Sequence, residues 1–111
     1  MEIARSSIGE IDVLTVSGEI DGPAASALQE QVLAAAKPNC KMLLDLSGVT
    51  FMSSAGLRVM LLLHRQISSS QGQVILVGLS EDLRSTMQAT GFLKFFSLAD
   101  TIYDGAASLS G

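Results

Sequence analysis

LLDLSGVTFMSSAGLRVMLLL, residues 43–63, is the stretch on which the fold turns. An apolar run ends in Asp45, a glycine follows, two hydroxyls stand side by side at Ser53 and Ser54, and after Gly56 a long apolar pattern begins. The segments KMLLDL (residues 41–46) and VILVGL (residues 74–79) are short and almost continuously apolar. Strands covered on both faces read this way, and such strands are usually parallel and joined by helical crossovers. The crossover between these two starts near Ser54. Stepping ~100° per residue from Leu57, the residues Leu57, Val59, Met60, Leu61, Leu63 and Ile67 fill an arc of roughly 200°. Arg58, Arg65 and Gln66 take the remainder, with Leu62 stranded among them. A helix lying on one sheet face needs a stripe only a little over ~100° wide. The surplus is expected to meet a neighbouring helix, with Leu62 exposed to a partner or to a second copy in a homodimer.

Outward from this centre the signals alternate. Residues 2–7 and 11–17 read as strands of a tight antiparallel hairpin around Gly9-Glu10. In GEIDGPAASALQEQVLAAAK a capping residue, Asp21 or Gly22, precedes Pro23 in the first turn of a helix that Lys37-Pro38-Asn39 ends. Ser80 before Glu81 and Asp82 suits an N-cap with acids in the first turn, and Gly91 suits the C′ position of that helix. A short strand near residues 95–97 and a last helix from about Asp100 complete the order β-β-α-β-α-β-α-β-α. The expected fold is α/β over one domain, residues 1–111. It has a mixed sheet of four to five strands, antiparallel in the N-terminal hairpin and largely parallel elsewhere, packed by about four helices.

Composition narrows the function. Seven basic residues against eleven acidic give a net charge of −4, and the basic residues are scattered. That argues against a phosphate-tracking groove and so against nucleic acid as a partner. Cys40 is alone, which excludes an internal disulfide framework. No basic segment followed by an apolar one opens the chain, and the uninterrupted apolar run 59–63 is far short of the ~20 residues a spanning helix needs. A cytoplasmic protein without direct membrane insertion is expected. One His and one Cys do not make a metal site. Gly48 and Gly56 do not make a phosphate cradle, so no cofactor is expected. His64 falls within the apolar arc and is expected to be a hydrogen-bonded, buried or half-buried structural residue. A hydrolase pairing Ser54 with His64 would have to bridge roughly 15 Å of helix at ~1.5 Å per residue, too far for a hydrogen bond.

In open α/β sheets, sites form beyond the carboxyl ends of parallel strands. Asp21 follows the second strand, Asp45 is expected to end the third, and Ser53 and Ser54 lead into the second helix. If the second and third strands are parallel neighbours, these side chains gather at one end. Each also has a local explanation as a cap or a loop ligand. A phosphate on a serine at a helix N-terminus would bring a charge of about −1.5 to −2 to the positive end of the helix. Arg58 is placed to reach back to it, so the charge would oppose a partner without opposing the fold.

These residues resemble the STAS-domain anti-sigma factor antagonists of bacteria. GEID (residues 18–21) is similar to their motif after the second strand. LLDLSGVTFMSSAGLRVML is similar to their central Asp-Leu-Ser…Phe-(apolar)-Asp-Ser-Ser/Ala-Gly-Leu segment, and MQATGFLKFF (residues 87–96) to their Thr-Gly-Leu stretch. The resemblance spans nearly the whole chain. It implies a non-catalytic protein that binds an anti-sigma factor of the histidine-kinase-like ATPase type. That partner, a serine kinase, would phosphorylate it, and a serine phosphatase would reset it. The acceptor falls on Ser54, with Ser53 as the second candidate. The implied partner-binding set is Asp21, Asp45, Ser53, Ser54, Gly56, Arg58 and Leu62. One position departs from the family: Ser53 stands where an aspartate usually precedes the acceptor. That departure leaves room for a STAS subunit never phosphorylated, held in a stress-sensing, transporter-associated or lipid-transport assembly.

Overall fold

The computed structural model describes residues 1–110. Its elements are β1 (Glu2–Ile8), β2 (Ile11–Ile20), α1 (Gly22–Ala35), β3 (Lys41–Met52), α2 (Ser54–Ser69), β4 (Gln73–Val77), α3 (Glu81–Ala89), a 3₁₀ turn (Leu93–Phe95), β5 (Ser97–Ala99) and α4 (Ile102–Ser110). The five strands lie in the order β1-β2-β3-β4-β5, with β1–β2 antiparallel and every other pair parallel. Fold class and hairpin are as expected from sequence. Ile8 pairs with Ile11 across the two-residue turn, where Gly9 at φ +59° supplies the left-handed conformation a primed hairpin turn requires.

Alternation along the strands divides the core in two. Leu14, Val16, Leu44, Leu46 and Leu76 face α1, α2 and α3, while Val13, Leu43, Ile75 and Val77 face α4. Each parallel step moves one strand further in the same direction. Right-handed crossovers therefore put α1, α2 and α3 on one face, and only the terminal α4 remains for the other.

Three boundaries differ from the sequence reading. β3 does not stop at Leu46 but runs to Met52, because β2 continues to Ile20 and pairs with it all the way through bulges at Thr15/Ser17 and Gly18/Glu19. β4 ends at Val77, where Gly78 turns at φ +73°. β5 begins at Ser97 rather than residue 95, because Leu93–Phe95 curl into the 3₁₀ turn. The start of α3 at Ser80, whose hydroxyl accepts from Leu83 N–H at 3.2 Å, and Gly91 at φ +80° just after it match the sequence signals.

Candidate partner-binding surface at two helix N-termini

The carboxyl ends of β2 and β3 lie side by side, with Ile20 paired to Met52, and each strand passes directly into a helix through a capping side chain. The Asp21 carboxylate accepts from Ala24 N–H at 3.0 Å and caps α1. The Ser53 hydroxyl accepts from Gly56 N–H at 3.2 Å and caps α2. Ser53 N–H in turn donates to the Ile20 carbonyl at 2.9 Å, so the two helix starts are joined. This is the contact that brings Asp21 next to the serine pair.

The two serines are not equivalent. Ser53 is half-buried and engaged as the cap, whereas Ser54 is the first helical residue and is exposed. The missing aspartate therefore costs α2 little, because serine caps about as well. Neither α1 nor α2 carries an acidic residue in its first turn, so the positive end of the α2 dipole beside Ser54 has no such compensation. Arg58 lies one turn along and is exposed, and among the described residues the single ion pair joins Arg84 to Asp100 at 3.7 Å. Arg58 is thus free to meet an anion at Ser54. Leu62, a further turn along, is 42% exposed, as expected.

Two expected members fall elsewhere. Asp45 lies within β3, seven residues before Met52, paired to Thr15 and Val77. At ~3.3 Å per residue it is roughly 20 Å from Ser53. Its carboxylate holds the bulge by accepting from Ser47 N–H at 3.0 Å and from the Ser47 hydroxyl at 2.7 Å. Gly56 is buried and faces inward: a Cβ there would stand 2.7 Å from Met52 Cγ and 3.2 Å from the Ile20 carbonyl oxygen. It permits α2 to seat against the ends of both strands. His64 is half-buried, and its ring meets Phe96 edge-on at 5.2 Å between centroids in place of the hydrogen bond expected for it.

The sequence reading missed Phe51. It is 52% exposed at the end of β3, two residues before the cap, beside a shallow groove lined by Thr50, Met52, Asp82, Leu83 and Thr86. The available signal was an aromatic close to the hydroxyl pair in a chain only 5% aromatic. The bulges hide which face it takes.

Comparison with known proteins agrees with this architecture. The STAS domain family model matches residues 3–105, and the chain belongs to the STAS-domain family. BtrV of Bordetella bronchiseptica, named as a candidate anti-sigma factor antagonist, is 29% identical over 109 residues, covering 97% of this chain and 94% of BtrV. The anti-sigma-F factor antagonist RsfB of Mycobacterium tuberculosis is 30% identical over 103 residues, covering 91% of this chain and 83% of RsfB. Among solved structures, the Bacillus anti-sigma factor antagonist SpoIIAA in its phosphorylated form superposes with a TM-score of 0.73 at 20% identity, covering 97% of this chain and 99% of that one. At that identity the likeness concerns the fold. Among the described residues, no helix is long and apolar enough to cross a membrane.

Proposed function

We propose that this protein is an anti-sigma factor antagonist, a non-catalytic binding module switched by phosphorylation of Ser54. The unmodified protein binds an anti-sigma factor of the histidine-kinase-like ATPase type through the surface formed by Asp21, Ser54, Arg58, Leu62 and Phe51. The same partner transfers the ATP γ-phosphoryl group to the Ser54 hydroxyl, with ADP leaving and the serine proton released, and a serine phosphatase resets the protein by hydrolysing the phosphoserine to serine and inorganic phosphate.

The observation that carries this reading is the division of labour between the two serines. Ser53 is held as the cap, and Ser54 is exposed at an uncompensated helix N-terminus with Arg58 one turn away. A phosphate there adds charge where the helix dipole favours it, so the fold is kept while an apposed partner loses complementarity. The names of BtrV and RsfB and the phosphorylated state of SpoIIAA support the same reading.

The test is incubation with ATP and each histidine-kinase-like anti-sigma factor of the source genome, followed by intact mass of the parent, Ser53→Ala and Ser54→Ala proteins. One added phosphate that disappears only in Ser54→Ala is expected. Loss only in Ser53→Ala would move the acceptor, and no phosphate with any kinase would sink the switch.

A further inference from the structure

Right-handed crossovers set α2 between α1 and α3 on one face of the sheet, so only its outward side meets solvent. Stepped at ~100° per residue, its exposed Ser54, Arg58, Leu62 and Arg65 fall within an arc of about 80° and form a single ridge along the helix. Arg58 and Arg65 stand about 10 Å apart along the axis at ~1.5 Å per residue. Leu62, 42% exposed, lies between them.

The charge of this ridge runs against that of the chain. The net charge is −4, yet α2 carries two of the seven basic residues and none of the eleven acids. Exposed acids lie on the helices to either side: Glu30 on α1, and Glu81 and Asp82 at the start of α3. Among the described residues neither Arg58 nor Arg65 is in an ion pair, since the one that forms joins Arg84 to Asp100. Two unneutralised guanidinium groups thus flank an exposed leucine, and guanidinium is the cation whose planar fork matches carboxylates at an interface.

We infer that the surface of the anti-sigma partner that covers α2 is acidic and apolar. Its carboxylates lie about 10 Å apart to meet Arg58 and Arg65, on either side of an apolar pocket for Leu62. The inference rests on the reading that this partner docks at the Ser54 end, and it gives the phosphate its means of driving the partner away. A phosphoserine at position 54 adds about −1.5 to −2 to the same ridge. It engages Arg58 and sets like charge against the partner's carboxylates, so a ridge that steered the partner in now repels it. Arg65 is about 16 Å from Ser54 along the helix at ~1.5 Å per residue, so its part is in recognition alone.

The test is the association rate of the full chain with each histidine-kinase-like anti-sigma factor of the source genome, measured by surface plasmon resonance without ATP. For the factor that binds, the rate is expected to fall at least about tenfold between roughly 20 mM and 300 mM salt. Arg58→Glu and Arg65→Glu, both at exposed positions, are each expected to slow association about three- to tenfold while the unfolding midpoint holds. Arg65→Lys, which keeps the charge, is expected to retain most of the parent rate, and Glu30→Lys to leave the rate unchanged or raise it. If a reversal lowers the midpoint, the salt dependence decides. A rate indifferent to salt and to Arg65→Glu, or raised by that reversal, would overturn the acidic surface. If the same factor still phosphorylates Ser54, the switch stands without it. No complex with any of the factors would overturn the switch and this inference together.

Discussion

The backbone N–H of Ser53 donates to the Ile20 carbonyl at 2.9 Å, and through that bond the beginning of α2 is fixed to the end of β2. The Ser53 side chain caps the helix that its own backbone anchors. Ser53→Ala is therefore expected to lower stability by about 1 kcal/mol in urea unfolding. Ser53→Asp, which restores a capping oxygen, should unfold like the parent, and Ser54→Ala should change stability by less than about 0.5 kcal/mol. Equal losses for the two alanine variants would contradict the assignment of Ser53 as the cap.

Gly56→Ala tests the seating of α2. Alanine is better than glycine in a helix by about 1 kcal/mol. Here its Cβ would meet Met52 Cγ at 2.7 Å, Ile20 Cγ2 at 3.0 Å and the Ile20 carbonyl oxygen at 3.2 Å. The methionine can move, but the strand backbone cannot follow without disturbing the Ser53–Ile20 bond. Overpacking of this kind costs about 1–3 kcal/mol, so the net effect expected is a loss of about 1 kcal/mol, read as a lower unfolding midpoint. A stabilised variant would mean that the helix end gives way easily.

Gln71, just past the end of α2, has φ +65° and precedes Gly72, whose N–H closes the helix end on the Ile67 carbonyl at 2.8 Å. A side chain in this left-handed conformation costs roughly 1 kcal/mol relative to glycine. Part of that gain returns as extra freedom in the unfolded chain. Gln71→Gly is expected to raise stability by about 0.5 kcal/mol in thermal or denaturant unfolding. A lower midpoint would show that the Gln71 side chain contributes something its geometry does not reveal.

Much of this was legible because the decisive signals are local. Gly9-Glu10 marks the hairpin, Asp21 and Ser80 mark helix starts through their own side chains, and Leu62 betrays its exposure by falling outside a helical arc. Asp45 was misplaced for the opposite reason. Its role depends on β3 continuing past Ser47 and Gly48, which β2 dictates from a distance through two bulges. Phe51 escaped notice for the same cause, since bulges interrupt the two-residue alternation that assigns a strand residue to a face.

Ser54→Asp separates a switch from simple unfolding. A carboxylate in the first turn interacts favourably with the helix dipole, by about 0.3–1 kcal/mol at low ionic strength. The variant is expected to be at least as stable as the parent, with that gain fading as salt is added, yet to bind the anti-sigma partner more weakly in calorimetry. Weaker binding together with a lower unfolding midpoint would attribute the loss to damage rather than to charge.

Phe51 gives the surface its sharpest test because its exposure has no use within the fold. Its ring is 52% exposed beside the groove at Leu83 and Thr86, close to Ser54 and on the same end of the sheet as Asp21. Aromatic side chains that become buried in an interface carry a disproportionate share of its binding energy, roughly 2 kcal/mol or more on truncation. Phe51→Thr keeps a residue suited to a strand, so the stability change should stay below about 1 kcal/mol. Affinity for the anti-sigma partner should fall by about 30-fold. Unchanged affinity would place the partner away from this end of the sheet, and the role of Ser54 as a switch would then need a contact made by some other route.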